Sequence, residues 1–391
     1  MLNRFGKYAP VLLAASLLAG CAGIKEQVST GFGLFGGDPG PKPAALVAFT
    51  PSAAAKTMWQ ARVGKGAGSV FTPAVVKDAV YAAGGDGSVA RFDATSGKQV
   101  WRIDAGGKLS GGVGSDGHLV LVGSPKGEVL AFDAANGQAL WRAQVTSEVL
   151  SAPQAAEGIV VVRTGDGRIF GLDARDGKRK WVYQRITPAL TLRNYAGVLV
   201  TRGAVFAGFA GGKLVALNLA NGQVGWEATV ALPHGATELE RIADITSVPV
   251  ADDLQVCAVA YQGRVACFDP RNGNPIWARE MSSVAGLAID PYGLYVTDVR
   301  GAVHALDKRS GASLWKQDKL FARQVTAPLA LGRFLVVGDL EGYVHFLSRD
   351  DGSFAARIAT DGSAIVAQPG DLIDGALVQT RNGGVFALTI N

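Results

Sequence analysis

The residues with the most reactive side chains are four histidines and three cysteines, and their placement argues against catalysis. His118, His234, His304 and His345 each lack a partner at the spacing of a metal-ligand set. His304 and His345 fall at neighbouring positions on the third strands of two repeats, so packing or solvent contact is expected of them. There is no Gly-x-Ser-x-Gly elbow and no phosphate-binding loop, and runs such as Gly84-Gly85-Asp86-Gly87 read as hairpin turns. Cys257 and Cys267, in QVCAVAYQGRVACFD, lie opposite or nearly so if two strands turn at about Tyr261 to Gly263. An oxidising compartment permits a disulfide there, but cross-strand neighbours often have unfavourable geometry, so two buried thiols are expected. No catalytic residue, metal or cofactor is expected of this chain.

A different set of residues does recur. FDAANGQALW, 132–141, places an apolar residue before Asp, Gly four positions after the acid, and Trp four after that. The same spacing returns in FDATSGKQVW, LDARDGKRKW, LNLANGQVGW, FDPRNGNPIW and LDKRSGASLW, and in degenerate form in LSRDDGSFAA at 347–356, where Ser348 and Ala356 replace the acid and the indole. Of the seven Trp, six sit in this motif and Trp59 lies one period before Trp101. The Asp and Gly suit a tight turn, because the carboxylate accepts a backbone N–H and Gly tolerates positive φ. The Trp is expected on an outer strand, covering the joint to the next repeat.

The aromatic positions are separated by 42, 40, 40, 45, 51 and 38 residues. That range fits four-stranded propeller blades and exceeds the period of about 34 typical of helical repeats. Within a period, four short apolar or β-branched runs are bounded by Gly, Asp or Asn. Pro73, Pro153, Pro249, Pro328 and Pro369 open the first run of five periods, and a proline belongs on an edge strand. The chain ends in GGVFALTIN, a third strand without a fourth, while KTMWQARVG near the start is a fourth strand without its predecessors. Pairing them removes two free edges. The expected fold is all-β, an eight-bladed β-propeller of four-stranded antiparallel blades over residues 46–391, the last blade closed by N- and C-terminal strands.

Residues 1–20 carry Arg4 and Lys7, then an apolar run and small residues, which is the pattern of a secretory signal. LAGC, 18–21, is similar to the bacterial lipoprotein box, which implies acylation of Cys21. Two or more chains anchor stably where one does not. Ala22 stands where an Asp would resemble an inner-membrane retention signal, so the periplasmic face of the outer membrane is the expected address. Residues 21–45, rich in Gly and Pro, read as the lipidated Cys and a flexible tether. The formal charge of +5 falls to 5 − 2 = +3 without Arg4 and Lys7 and is spread out, so nucleic acid is not an expected partner.

Function in a repeat protein tends to sit where the period breaks. The two long periods add ITPALTLRNYA at 186–196 and ALPHGATELERIADITSVP at 231–249, in consecutive loops that should emerge side by side. Thr237 to Glu240 fits a capping box, which predicts a short helix over 238–244. Leu190 and Leu192 beside Arg193 fit either a protein-binding patch or a plug folded into the blade junction.

Two resemblances follow from these residues. The Trp repeat is similar to that of quinoprotein dehydrogenases, eight-bladed propellers that bind pyrroloquinoline quinone and calcium. Those enzymes are much longer, and many carry an adjacent Cys pair that this chain lacks. The lipoprotein box, the eight-blade period and the ALTLR and TELERIADITSVP loops together resemble the BamB family of outer-membrane β-barrel assembly lipoproteins, over essentially the whole chain. That resemblance implies a non-enzymatic scaffold that docks on the periplasmic POTRA region of BamA and through it joins the BAM complex. It implies partner contact through Leu190, Leu192 and Arg193 in the first loop and Asp244 in the second, with Glu240 and Arg241 as neighbours. Thr246 occupies the place of a further family acid. Unfolded outer-membrane proteins are a further implied partner, received by β-addition at a free edge or groove.

Overall fold

The computed structural model describes residues 41–193 and 195–391. The signal segment, Cys21 and nearly all of the tether lie outside the described residues. Pro43–Asn391 form one compact unit; of the other, Met1–Lys42, only residues 41 and 42 are described.

Every described strand belongs to one of eight antiparallel four-stranded sheets, and among the described residues there is no helix. Blade 3, for example, runs through Gln154–Ala156, Ile159–Arg163, Ile169–Asp173 and Arg179–Tyr183 in that order across the sheet. Blade 4 runs through Val198–Thr201, Ala204–Phe209, Lys213–Asn218 and Val224–Thr229. Blades 1, 2, 5, 6 and 7 cover 74–104, 111–144, 250–280, 286–317 and 329–359. Blade 8 is composite, with Ala55–Arg62 on the outside of Gly384–Ile390, Gly375–Gln379 and Gly370–Leu372. Pro73, Pro153, Pro249, Pro328 and Pro369 each immediately precede a first strand, at the sheet edge where a missing N–H does least harm.

Eight apolar clusters hold the ring, each built from two neighbouring blades. One joins Trp226 and Phe206 of blade 4 to Val256 and Phe268 of blade 5, and another joins Phe346 of blade 7 to Val378 and Leu388 of blade 8. The middle strands of each blade are nearly continuous buried apolar runs because both of their faces meet a neighbouring sheet.

The repeated motif works across joints. Each indole N–H reaches the next blade and donates to the carbonyl of the residue after the motif-acid position, which is Ser348 in blade 7: Trp59 to Ala94 (2.8 Å), Trp141 to Ala174 (2.9 Å), Trp226 to Pro270 (2.9 Å) and so on to Trp315 and Arg349 (2.7 Å). The ring itself lies on the next motif's Gly. Gly177 has φ of +72° and a Cβ there would collide with Trp141, so backbone conformation and indole contact both require glycine. The acid shapes the turn, as at Asp133, whose Oδ1 accepts from Ala135 N (2.9 Å) and Asn136 N (3.1 Å).

The missing eighth indole has a structural reason. Trp from blade 7 would have to land on a third-to-fourth-strand turn of blade 8, and that turn does not exist, since the two strands come from opposite ends of the unit. Ala54 and Asn391 exchange backbone hydrogen bonds there (3.1 and 3.2 Å). A strap over 43–54 takes the place of the indole: Ser52 N donates to Ala355 O (3.0 Å), Phe49 stacks on Phe354 at 5.4 Å, and the Arg357 guanidinium lies over both rings.

The structure corrects the expectation of two thiols. Cys257 and Cys267 are direct cross-strand partners joined by a disulfide, with Cα atoms 4.1 Å apart, fully buried in blade 5. His304 and His345 also have partners. Nε2 of each sits 2.9 and 3.0 Å from the carboxylates of Asp298 and Asp339, at equivalent places in blades 6 and 7. Arg323 Nε joins Asp339 at 2.7 Å, its Nη2 pairs with Glu341, and its Nη1 donates to Ala44 O of the strap.

Candidate docking rim

Strand direction alternates within a blade, so the motif turns leave from one face of the ring. The loops from a fourth strand to the next first strand leave from the other face, together with the turns between second and third strands. Both inserts are of this second kind. The first joins Tyr183 to Val198 and the second joins Thr229 to Val250, so they flank blade 4 on one rim.

Asp244 binds them together. Its Oδ2 accepts from Leu192 N (2.7 Å) in the first insert, its Oδ1 from Gly211 N (3.1 Å) in blade 4, and its own carbonyl from Tyr261 N (2.8 Å) in blade 5. Only 1% of Asp244 is exposed, so the acid faces inward and positions the first insert. Burial raises its carboxyl above the ordinary aspartate value even though the two amides and Arg163 pull the other way. Thr246 donates to Val284 O at 3.2 Å.

The predicted helix over 238–244 does not form. The capping box does: Glu240 Oε2 accepts from Ala236 N (2.7 Å) and Thr237 N (3.0 Å), and Glu240 N donates to Thr237 Oγ1 (3.2 Å). The chain completes one turn, with Arg241 N donating to Thr237 O, and then straightens into Asp244. A single turn that must deliver a buried acid to blade 4 cannot propagate. The N–H of Thr237 and that of Ala236 hold the Glu240 carboxyl below its ordinary value. Gly235, at φ +131°, allows the close approach of Glu240. Glu240 and Arg241 are both exposed, and Arg241 also reaches Gly235 O (3.1 Å) and Glu238 (3.5 Å).

In the first insert the two leucines part company. Leu190 is 47% exposed, near Ile186 at 95%, while Leu192 turns partly inward. Arg193 is exposed and pairs with Glu148 at 2.9 Å. Leu192, Arg193 and Glu148 wall a cavity of about 210 Å³ whose floor holds Arg163, Thr164 and Phe209. The Arg163 guanidinium stands 5.2 Å from the centre of the Phe209 ring, and burial pushes it down to about 10, with Asp244 opposing that shift. Leu190, Leu192, Arg193 and Asp244 are thus brought into one assembly by the Asp244 bridge; Glu240 and Arg241 lie on the turn that leads into it. Arg163 and Glu148 were not singled out from the sequence. The signal for Arg163 was present, as a charge ending the apolar run IVVV where the second strands of the other blades end uncharged.

Among the described residues no group of three or more His, Cys, Asp or Glu converges where a metal ion could sit, and no helix is long and apolar enough to cross a membrane.

A closed eight-bladed ring with quinoprotein-type Trp joints and a single rim of inserts defines a class of propellers that includes both enzymes and assembly factors. The chain matches the family described as outer membrane protein assembly factor BamB over residues 44–105 and 85–317, and it belongs to that family. It is 46% identical to outer membrane protein assembly factor BamB of Bordetella pertussis over 100% of this chain and 98% of that protein. The crystal structure of BamB from Moraxella catarrhalis superposes with a TM-score of 0.80 at 28% identity, covering 86% of this chain and 100% of that one. A quinohemoprotein alcohol dehydrogenase from Comamonas testosteroni superposes with a TM-score of 0.70 at 15% identity, covering 85% of this chain and 76% of the enzyme, which is a likeness of fold alone.

Proposed function

We propose that this chain is a non-enzymatic scaffold for outer-membrane protein assembly that docks through the rim at blades 3 to 5 on the POTRA region of BamA. On this reading it is held at the periplasmic face of the outer membrane by lipid on Cys21. The observation that carries the proposal is the pair of inserts, locked to each other and to the ring through Asp244, with apolar Ile186 and Leu190 left exposed beside Arg193. Exposed apolar side chains next to an arginine are the composition of an interface core. The relatives' name, outer membrane protein assembly factor, supports the assembly role. A rigid ring suits such work, because it presents the rim without paying ordering entropy on binding.

The test is co-purification. Leu190→Ala combined with Arg193→Ala should abolish retention of the BamA POTRA region while the melting temperature stays within about 2 °C of the parent, as for surface substitutions. Full retention by the double variant would sink the docking surface. The enzyme alternative has its own readout, since stoichiometric uptake of pyrroloquinoline quinone and calcium in the ultraviolet-visible spectrum, with dye reduction, would overturn the scaffold reading.

A further inference from the structure

The end of the second strand is built alike in three blades. Gly123, Gly208 and Gly338 occupy it in blades 2, 4 and 7, and a Cβ on any of them would collide with Val149, Ile245 or Ile365, the aliphatic side chain that the following loop drops onto the ring. Small residue and aliphatic plug are two halves of one seal. Blade 3 differs from these three on both sides. Its residue is Arg163, and its following loop is the first insert, which arches over the position and leaves the 210 Å³ cavity.

The guanidinium below that cavity keeps one arm without a hydrogen bond. Nη1 of Arg163 is enclosed and has no hydrogen-bond partner among the described residues. Asp244, the carboxylate that acts on it, already accepts from the amides of Leu192 and Gly211. Glu148, on the wall, is tied to Arg193. A guanidinium nitrogen withdrawn from water without a hydrogen bond is costly, and a carboxylate is the group whose geometry matches its fork. The cavity is smaller than the range of about 300–1,000 Å³ for small-molecule sites, so it has room for one side chain.

We propose that Arg163 and the cavity above it form a receptor for a single aspartate or glutamate side chain of the protein that docks on this rim. The proposal rests on the docking reading above and names the chemistry the partner must supply. The acid would enter past Leu192 and Arg193, meet the guanidinium against the Phe209 ring, and replace the aliphatic plug that seals other blades. Apolar contact at Leu190 would then hold the rim while the buried pair sets the register.

The test uses the purified full chain with ¹⁵N-labelled arginine. The probes are N-acetyl-aspartate amide, N-acetyl-alanine, which has only a chain-end carboxylate, and N-acetyl-asparagine amide. One arginine Nε resonance, assigned to Arg163 by its absence in Arg163→Gln, should shift saturably with the first probe and not with the neutral third. A response to N-acetyl-alanine as strong as to the aspartate probe would overturn the assignment to a side chain, and no saturable response to either carboxylate would overturn the site. In parallel, Arg163→Gln should weaken retention of the BamA POTRA region by about tenfold or more, the value of a charge-assisted bond. Arg163→Lys, which keeps the charge without the fork, should lie between. If the parent binds BamA and both variants bind it equally well, this inference fails and the docking reading stands; if the parent does not bind BamA, the docking reading fails and the partner assignment made here falls with it.

Discussion

The two faces of the ring obey different rules. On one, the motif turns are near copies: an acid caps the turn, a glycine yields its space, and an indole from the previous blade closes over it. On the other, the loops between blades vary in length, and those flanking blade 4 carry exposed aliphatic side chains and a buried acid. Repetition marks the face whose residues hold the fold, because each joint solves one packing problem in one way. Irregularity marks the face where packing alone does not dictate the residue.

The largest effect should come from breaking the regular face. Trp226 is nearly buried between blades 4 and 5, and its N–H satisfies Pro270 O. Trp226→Ala removes the indole and leaves a cavity and an unpaired carbonyl, so urea denaturation should show a loss of about 3–5 kcal/mol. Below its lowered melting temperature the variant should still retain BamA, because the indole lies on the Gly273 turn, at the face opposite the inserts. Loss of docking in a folded Trp226→Ala protein would erase the division between the two faces.

Asp244 tests the boundary from the other side. Asp244→Ala leaves the amides of Leu192 and Gly211 without their acceptor, a cost of about 1–3 kcal/mol. It should also free the first insert, so docking falls further than stability does. The pH dependence has a definite sign. A carboxyl raised by burial binds its proton more readily in the folded than in the unfolded chain, so its contribution is greatest at low pH and is lost as pH rises from about 3.9 through the folded value. Asp244→Asn should remove that component from the pH profile of the melting temperature.

The contrast also explains what could be read from the residues. The Asp-Gly-Trp spacing was legible because the acid and glycine act through the turn they sit on and each indole closes over the next copy of that turn, and blade 8 because an orphan third strand and an orphan fourth strand need each other. The inward role of Asp244 was not, since nothing near it in the insert names its partners until Leu192 and Gly211, 52 and 33 residues before it in the sequence, are seen to point their amides at it. The single turn at Thr237 to Arg241 kept the predicted cap and lost the predicted helix because tertiary bonds claimed the residues after it. The facing of Cys257 and Cys267 was legible from a turn at Tyr261 to Gly263; whether a cross-strand pair closes to a bond depends on the local separation of the two backbones, which the residue types do not carry.

A smaller effect belongs to the insert-bearing face away from the inserts. His345 is fully buried between Asp339 and Arg357, and burial, with Arg357 and Arg323 nearby, holds its pKa below the ordinary value while Asp339 pulls upward. A histidine that takes up its proton less readily when folded gives stability that is present above the unfolded pKa and lost as pH falls from about 6.5 through the lower folded value. Asp339, also lowered in the fold by its hydrogen bonds, adds a second loss below about 4. Melting temperatures measured from pH 8 to pH 5 should therefore decline, and His345→Gln should flatten that slope without changing retention of BamA.

The smallest effect on stability is the one that most sharpens the comparison. Leu190 on the first insert and Leu140 on the outer strand of blade 2 are 47% and 49% exposed. Each loses little apolar contact on truncation, so Leu190→Ala and Leu140→Ala should both stay within about 0.5 kcal/mol of the parent in urea denaturation. Their exposure is matched and only their location differs. Leu190→Ala should weaken retention of the BamA POTRA region by about tenfold or more, the range of an interface anchor, and Leu140→Ala should leave it unchanged. Equal weakening by both would mean that any exposed leucine on this ring suffices, and that the long periods around blade 4 do not mark the docking surface.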